Sequence, residues 1–267
     1  MYIYIYIHIH LIKKAFKAFK YNTHSSAQTE RNKEKTEMKL YGLEVAVDTA
    51  RVMATLEEMA VDYHLIPIDP EAGETKLPTY LSINPFGQIP ALQDAHLTLF
   101  GSRAISKYIA RKHKRMSKDL IRESNPEEEA MVEVWMEVEA EQYEPVISAL
   151  INYVIEVGYF GKVEDEQVMA KKVGDLEKVL DVYEERLGKS KYLAGDFFSL
   201  ADLHHLPQTH RLMASPRCAL LINSRPKVRA WWEDLLSRPA CKKVTETMDA
   251  CAIAWKEKKK KNNNNES

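Results

Sequence analysis

The sequence predicts two domains, a small α/β domain followed by an all-helical domain. Three observations support this prediction. Short strand-like segments alternate with helical ones between residues 38 and 113, a proline-containing loop interrupts that alternation at residues 84–90, and the segments beyond residue 127 have helical periodicity. A chain of 267 residues is long enough for two domains of this kind.

The first domain is predicted to span residues 38–113. In chain order its elements are a strand at 39–41, a helix at 49–59, a strand at 63–68, a short helix at 78–81, strands at 91–93 and 97–100, and a helix at 102–113. The first helix places Val52 and Leu56 on an apolar face and leaves Glu57 and Glu58 to the solvent. The order β-α-β-α-β-β-α joins a parallel strand pair to an antiparallel pair, which matches the thioredoxin-like arrangement. Because no cysteine stands at the turn into the first helix, disulfide exchange is disfavoured.

A charged, irregular stretch at residues 114–126 is the predicted linker to an all-helical domain over residues 127–255. Its helices are predicted at residues 127–143, 145–157, 166–187, 200–213, 227–237 and 242–254. Ser199 and Asp202 predict a capping box, in which the serine hydroxyl and the acidic side chain satisfy backbone N–H groups at the start of a helix.

The two ends of the chain fall outside these domains. Residues 1–37 begin with alternating Tyr, Ile and His, carry four lysines before the first acid, and are predicted to be an unstructured leader ahead of a fold that begins at Met38. The leader weakly resembles an organellar transit peptide, but it has too little Arg and Ser to favour targeting. Residues 256–267 are rich in Lys and Asn and are predicted to be a disordered tail.

Composition excludes several classes of function. A formal net charge of -1 gives no basic surface for a polyanion, so nucleic acid is not expected as a partner. The three cysteines, Cys218, Cys241 and Cys251, have no metal-ligand spacing and indicate a reduced, intracellular protein. Since the chain has no run of about 18 apolar residues, no membrane span is expected.

Two segments carry a resemblance to a known family. They are residues 84–90, Asn-Pro-Phe-Gly-Gln-Ile-Pro, and residues 192–203, Tyr-Leu-Ala-Gly-Asp-Phe-Phe-Ser-Leu-Ala-Asp-Leu. From Met38 to about Trp255 the chain resembles the cytosolic glutathione transferases, most closely the plant phi class. The resemblance implies a cytoplasmic, homodimeric enzyme of detoxification or secondary metabolism. Its two substrates would be glutathione and a small hydrophobic electrophile. No metal or other cofactor is expected beside the co-substrate glutathione.

The resemblance also implies which residues hold glutathione. Ile89, before a cis Pro90, is expected to pair its backbone with the cysteinyl part, and Gln88 to bond the γ-glutamyl part. Ser102, at the start of a helix, is expected to offer its hydroxyl and N–H to the γ-glutamyl carboxylate. Lys76 matches the lysine that meets the glycyl carboxylate. The expected glutathione-binding residues are Thr75, Lys76, Gln88, Ile89, Pro90, Gly101 and Ser102.

Three positions depart from the phi-class pattern. Without a gap in the alignment, Ala46 falls at the catalytic serine, whose hydroxyl donates a hydrogen bond to the glutathione sulfur. Losing a hydrogen bond to a charged group, worth about 1.5–3 kcal/mol, predicts roughly 10- to 150-fold weaker activation of the thiol. Gly101 replaces the glutamate that pairs with the γ-glutamyl amine, and Thr75 replaces a histidine.

Two other hydroxyls could take the place of that serine. Thr49 is a weak candidate, since one turn into the helix it fits a first-turn cap better than a proton donor. Tyr41, at the end of the first strand, is expected to pack. The catalytic residue is therefore left unassigned.

The electrophile is expected to bind an apolar pocket supplied by the second domain. The side chains that could form it lie on two consecutive helices: Val134, Trp135, Val138, Ile147, Leu150 and Tyr153. An apolar stripe at helical spacing is more often core than ligand site, so both interpretations stay open.

Three functions remain open on the sequence. The first is an enzyme that adds glutathione sulfur to electrophiles. The second is a non-catalytic carrier of apolar ligands, which the changes at Ala46, Thr75 and Gly101 favour. The third is an interaction module like the transferase-shaped domain of a translation elongation factor, which is disfavoured because no further domain follows the helical part.

Overall fold

The computed structural model describes residues 38–70, 72–115 and 118–263 of the chain. The predicted leader and the end of the predicted tail, residues 1–37 and 264–267, lie outside the described residues. Both predicted domains are present, an α/β domain followed by a helical one.

The first domain is a four-stranded mixed sheet with helices packed against it. Its elements are the strands β1 (Met38–Gly42), β2 (Tyr63–Pro67), β3 (Ala91–Asp94) and β4 (Leu97–Phe100), the helices α1 (Val47–Glu58), α2 (Pro78–Leu81) and α3 (Ser102–Lys112), and a 3-10 turn at Glu74–Lys76. The strand order is β2-β1-β3-β4, in which only β1 and β2 are parallel. The predicted thioredoxin-like arrangement is confirmed.

Strand β1 lies at the centre of this domain. Leu40 is fully buried, opposite Leu65 of β2 and Leu92 of β3. Helices α1 and α3 pack against each other, and Val52 and Leu56 on the apolar side of α1 are fully buried. This core holds the carboxyl end of β1 close to the amino end of α1, which is where the candidate site lies.

The second domain consists of helices and their connections. They are α4 (Pro126–Val138), α5 (Glu144–Phe160), α6 (Glu166–Leu187), α7 (Leu200–Leu203), α8 (Leu206–Met213), α9 (Pro216–Asn223), α10 (Pro226–Ser237) and α11 (Pro239–Asn263). A π-helical segment, Glu139–Tyr143, joins α4 to α5. The capping box at the start of α7 is present, with the Ser199 N–H donating to the Asp202 carboxylate at 3.0 Å.

Two helices of this domain differ from the predictions at their boundaries. The helix predicted at residues 200–213 is divided into α7 and α8, because Pro207 has no N–H to continue the hydrogen-bond ladder and restarts the helix at its first turn. Helix α11 extends to Asn263, well past Trp255, where the disordered tail was predicted to follow. Lys and Glu have good helix propensity, so the charged segment can continue the helix.

Two features were not predicted at all. Helix α9 begins with Ser215 at its N-cap position and Pro216 at its first helical position, a pairing that is typical of helix starts. The π segment interrupts what the sequence predicts as one continuous helix over residues 127–143. Neither residue periodicity nor capping signals a π turn, because the extra residue per turn depends on tertiary contacts.

The prediction that Glu58 faces the solvent is wrong. Its carboxylate is buried and accepts hydrogen bonds from the Arg238 guanidinium at 2.6 and 3.1 Å. Helix α11 packs along α1 and covers a face that the first domain alone would leave in water. The same packing brings Lys243 within 2.7 Å of Glu57.

Within the described part of the chain, no helix is both long and apolar enough to cross a membrane. No cluster of three or more His, Cys, Asp or Glu among these residues is arranged to hold a metal ion. The three cysteines are free, and burial raises the pKa of Cys241 to about 12 and that of Cys251 to about 11. Both thiols are therefore protonated at neutral pH.

Candidate active site

The proline-containing loop is held in one shape by its own polar groups. The Asn84 side chain accepts from the Phe86 N–H at 3.1 Å and donates to the Gln88 carbonyl at 2.7 Å. The Ile89–Pro90 peptide is cis, as the resemblance implies. Neither the N–H nor the carbonyl of Ile89 bonds another described residue. The loop therefore presents a free peptide edge beside the start of β3.

Gly87 brings a second segment against this loop. It has a φ of +59°, and a Cβ built on it would lie 2.7 Å from the Thr75 carbonyl oxygen and 3.0 Å from Lys76 Nζ. Any side chain at this position would push the two segments apart. Thr75 is buried, whereas the side chains of Lys76 and Gln88 are exposed. Four of the residues expected at the site, 75, 76, 88 and 89, thus lie around Gly87.

The amino end of α3 completes the arrangement. Phe100 of β4 pairs with Ala91 of β3, which places the end of β4 beside the start of β3 and next to Pro90. Gly101 follows as the N-cap residue of α3, with φ 83° and ψ 111°, and Ser102 is the first helical residue. Gly101 and Ser102 therefore lie at the same sheet edge as Ile89.

The Ser102 hydroxyl already has partners in the protein. It donates to the Asp48 carboxylate at 2.7 Å and accepts from the Arg51 guanidinium at 2.8 Å. The hydroxyl therefore has no hydrogen left to donate to a γ-glutamyl carboxylate, contrary to the expectation from the sequence. The backbone N–H groups at the amino end of α3 are the donors left for an anion.

Ala46 is the N-cap residue of α1. Its backbone is extended, with φ -74° and ψ 127°, and it provides no side-chain cap to the helix. Its methyl group is partly exposed. A serine at this position could cap the helix or donate to a ligand, whereas alanine can do neither.

The two alternative hydroxyls do not reach this position. Thr49 is fully buried with its Oγ1 unbonded, and a Cβ built on Gly42 would lie 2.4 Å from that oxygen. The Thr49 hydroxyl thus points into the interior between β1 and α1, which removes it as a proton donor. The Tyr41 hydroxyl donates to Gln93 at 2.6 Å, and burial raises the pKa of Tyr41. Tyr41 packs, as expected.

A buried ion network behind the site was not predicted. The Arg51 guanidinium, with no exposed surface, bonds the Asp48 carboxylate, Glu144 at 3.0 Å and Glu139 at 3.4 Å. Arg103 of α3 also binds Glu139, at 2.7 and 2.9 Å. The π segment supplies Glu139, so this local irregularity positions one of the network's acids. The network ties α1 and α3 of the first domain to the start of α5 in the second.

The apolar side chains proposed for an electrophile pocket mostly belong to the core. Ile147 and Leu150 are fully buried, and Trp135 packs edge-on against Tyr183 at 5.4 Å between ring centroids. Tyr153 is also buried, whereas Val134 is exposed. The core interpretation of this stripe therefore describes the structure better than the pocket interpretation.

Two family models match the chain. The model described as "Glutathione S-transferase, N-terminal domain" matches residues 36–111, and "Glutathione S-transferase, C-terminal domain" matches residues 144–239. Glutathione S-transferase F13 of Arabidopsis thaliana is 51% identical over 208 residues, which cover 78% of this chain and 94% of the relative. Glutathione S-transferase 1 of Zea mays is 47% identical over 215 residues, which cover 80% of this chain and 99% of the relative.

Solved structures agree with these relatives. Glutathione transferase F7 from Populus trichocarpa superposes with a TM-score of 0.74 at 51% identity, covering 79% of this chain and 99% of that one. Glutathione S-transferase I from maize, in complex with an atrazine glutathione conjugate, superposes with a TM-score of 0.75 at 47% identity, covering 80% and 99%. The chain therefore belongs to the glutathione S-transferase family, within the plant phi class.

Proposed function

We propose that this glutathione S-transferase joins the sulfur of glutathione to small hydrophobic electrophiles in the cytoplasm, in detoxification or secondary metabolism. It does so with weak activation of the thiol, because Ala46 has no hydroxyl to donate to sulfur. The curated relatives at 45–51% identity carry the name of this activity.

The convergence of three segments at one sheet edge is the observation that carries the proposal. Lys76 supplies a cation, Ile89 a free peptide edge, and the amino end of α3 a set of free N–H groups. These groups suit the glycyl carboxylate, the cysteinyl peptide and the γ-glutamyl carboxylate of glutathione. An anion at a helix N-terminus gains about 0.3–1 kcal/mol.

The thiol end of such a ligand belongs at the start of α1. A free thiol has a pKa near 8.5, so only a few per cent is thiolate at neutral pH. The first-turn N–H groups of α1 favour a thiolate, whereas Asp48 in the same turn opposes it. Arg51 and Ser102 bind the Asp48 carboxylate and offset part of that repulsion.

Binding and turnover test the proposal separately. Calorimetric titration with glutathione should show binding that is weakened by Lys76→Ala and Gln88→Ala but not by Lys189→Ala, an exposed lysine paired with Glu185. With 1-chloro-2,4-dinitrobenzene, the enzyme should exceed the rate of the uncatalysed reaction. Binding that is indifferent to both site variants, or a rate equal to background, would contradict it.

A carrier function is the second candidate. The absence of a hydroxyl donor at Ala46 and the loss of side-chain charge at Gly101 favour it. A carrier would bind apolar ligands, and show no conjugation above background even when the protein is saturated with glutathione. Turnover therefore separates the two functions.

We also propose that the protein is a homodimer. Phe86, at the tip of the proline-containing loop, has 68% of its surface exposed. Its ring packs edge-on against that of Phe100, which is 41% exposed, with 5.9 Å between the ring centroids. Large exposed aromatic groups of this kind mark contact sites with other chains. The resemblance to phi-class enzymes supports pairing between the first domain of one subunit and the second domain of the other.

A further inference from the structure

Arg211, on helix α8, is a cation without a partner. Its guanidinium makes no hydrogen bond or ion pair with any described residue, although its side chain is only partly exposed. The surrounding protein lowers the pKa of Arg211 to about 10 through burial, opposed weakly by the charge of Glu144. A desolvated arginine without a counter-ion is costly, since buried charges are normally paired.

The contacts of its neighbours show where Arg211 lies. Successive helical residues are about 100° apart. Gln208 bonds Glu144 and Ser148 of α5, and His210 bonds Asp249 of α11 at 2.8 Å. Arg211 falls between these two directions on the helix, opposite Thr209, whose hydroxyl bonds Tyr143 in the core.

Helix α8 lies at the junction of the two domains. Helix α8 packs against α1, α5 and α11, and α11 packs along α1. The His204 carbonyl just before α8 accepts from Arg51 of α1 at 3.4 Å, and Glu144 binds the same guanidinium. The charge of Glu144 also acts on Arg211, so Arg211 lies near this junction, on its second-domain side.

Glu144 is not available to neutralise Arg211. One of its carboxylate oxygens accepts from Arg51 at 3.0 Å, and the other accepts from Gln208 at 2.7 Å and Ser148 at 3.0 Å. A guanidinium with its donors unused binds carboxylates with two parallel hydrogen bonds. An anionic ligand would supply the partner that the protein does not.

We propose that Arg211 binds a carboxylate on the electrophile, so that this enzyme prefers organic acids with an apolar body over neutral analogues. The inference rests on the proposed function and names the substrate class of its second site. Arg211 acts here as a specificity-determining residue that touches the substrate, away from the reacting carbon.

Two electrophiles that differ in one substituent, which is charged in one and neutral in the other, test the proposal. With 4-chloro-3-nitrobenzoate, the glutathione sulfur forms a bond to the carbon bearing chlorine, chloride leaves with the bonding electron pair, and the thiol proton passes to the buffer. The methyl ester reacts in the same way without a negative charge. The ratio of kcat/KM for the acid to that for the ester, divided by the ratio of the uncatalysed rates, is the measured quantity.

Arg211→Gln should lower this normalised ratio about 10- to 150-fold, which corresponds to losing a hydrogen bond to a charged group. Arg211→Lys should restore part of the preference. The matched control is Arg229→Gln, which changes an exposed arginine on α10 that pairs with Glu233. This control should leave the ratio unchanged. Equal losses for acid and ester in Arg211→Gln would show a structural role and overturn the proposal.

A binding measurement separates this inference from the proposed function. The unreactive acid 3-nitrobenzoate, titrated into the protein, should bind more tightly than its methyl ester and lose that advantage in Arg211→Gln. If this holds while no electrophile is conjugated, the acid site stands and the enzymatic function fails. If 1-chloro-2,4-dinitrobenzene is conjugated while acid and ester bind alike, the function stands and the acid site fails.

Discussion

Single residues at the sheet edge decide what this site can do. Gly87 lets Thr75 and Lys76 approach the proline-containing loop, and Gly101 turns the chain into α3 at a φ of 83°. Ala46 leaves the amino end of α1 without a side-chain donor. The proposed glutathione site thus has its backbone geometry, while the side-chain group expected to activate the sulfur is missing at Ala46.

Gly101→Ala should destabilise the protein although the added methyl group meets no atom within 4 Å. The cost comes from a backbone conformation that residues with a side chain rarely adopt, and it should be about 1–3 kcal/mol in the free energy of unfolding. Chemical denaturation measures it.

Gly174→Ala is the matched control for that experiment. Gly174 lies inside α6 with the same empty space around its Cβ position but an ordinary helical backbone. It should stabilise the protein by about 0.5–1 kcal/mol, as alanine does within a helix. If both changes had the same effect on the free energy of unfolding, a side chain at position 101 would add no backbone strain.

Residues in local motifs could be read from the sequence, and residues in long-range networks could not. Ala46, Thr75 and Gly101 lie within or beside recognisable segments. Arg51 looks like a surface residue of an amphipathic helix, yet it is fully buried, because its partners Ser102 and His204 lie 51 and 153 residues away. Arg211 could not be singled out from the sequence either, because only the folded structure shows that no described residue pairs with its guanidinium.

Among the elements, the α7–α8 junction holds two buried histidines. His204 is fully buried with both ring nitrogens unbonded, and His205 is fully buried between Tyr183 and the Ala201 carbonyl. Burial lowers the pKa of His204 well below its ordinary value and that of His205 to about 3. Both rings are therefore neutral in the folded protein.

This pair should make the protein less stable as the pH falls from 7 to 5. Below pH 6.5 the unfolded chain protonates both histidines while the folded protein does not, so each contributes a loss approaching 1.4 kcal/mol per pH unit. Asp202 acts in the opposite direction. Burial raises its pKa to about 6, so its contribution to stability is lost as the pH rises towards 6. Two histidines outweigh one carboxyl between pH 5 and 6.5.

Urea unfolding at pH 5, 6 and 7 measures that slope. His204→Leu should reduce the slope by the equivalent of about one bound proton. The matched control is His64→Leu, which changes an exposed histidine and should alter the slope little. A slope that is unchanged in His204→Leu, or stability that rises on acidification, would contradict this assignment.

Most elements could be predicted, because the hydrophobic pattern fixes strands and long helices. The predicted bounds of α2, β4 and α6 match the structure, as their starts and stops are set by local apolar runs and turns. The π segment could not be predicted in this way, because it depends on how α4, α5 and α6 pack around it. The division between α7 and α8 has a local signal, Pro207, which the prediction of one helix over residues 200–213 did not take into account.

At the scale of the whole molecule, Arg51 joins the two domains. Arg51→Met should lower the free energy of unfolding by about 3–5 kcal/mol, since it leaves Glu139 and its neighbours as uncompensated buried charges. The matched control is Arg111→Met, whose partly exposed pair with Glu123 should be worth about 0–1 kcal/mol. A loss below 1 kcal/mol in Arg51→Met would show that the network contributes little to holding the domains together.

The exposed Phe86 tests the proposed homodimer. Phe86→Ser should shift the protein from dimer to monomer in analytical ultracentrifugation at micromolar concentration, because it removes the apolar group that a partner would cover. Val163→Ser changes a more exposed apolar residue, 86% accessible, in the connection before α6, and should leave the dimer intact. A wild-type monomer, or a Phe86→Ser dimer of unchanged stability, contradicts the proposal.

We propose that this phi-class site binds and uses glutathione with weakened activation at Ala46. The most direct test compares kcat/KM for 1-chloro-2,4-dinitrobenzene in the wild type, in Ala46→Ser and in the control Ala170→Ser, an exposed alanine on α6. The wild type should exceed the uncatalysed rate, Ala46→Ser should be faster by about 10- to 150-fold, and Ala170→Ser should equal the wild type. Wild-type and Ala46→Ser values within threefold of each other would contradict weakened activation at Ala46.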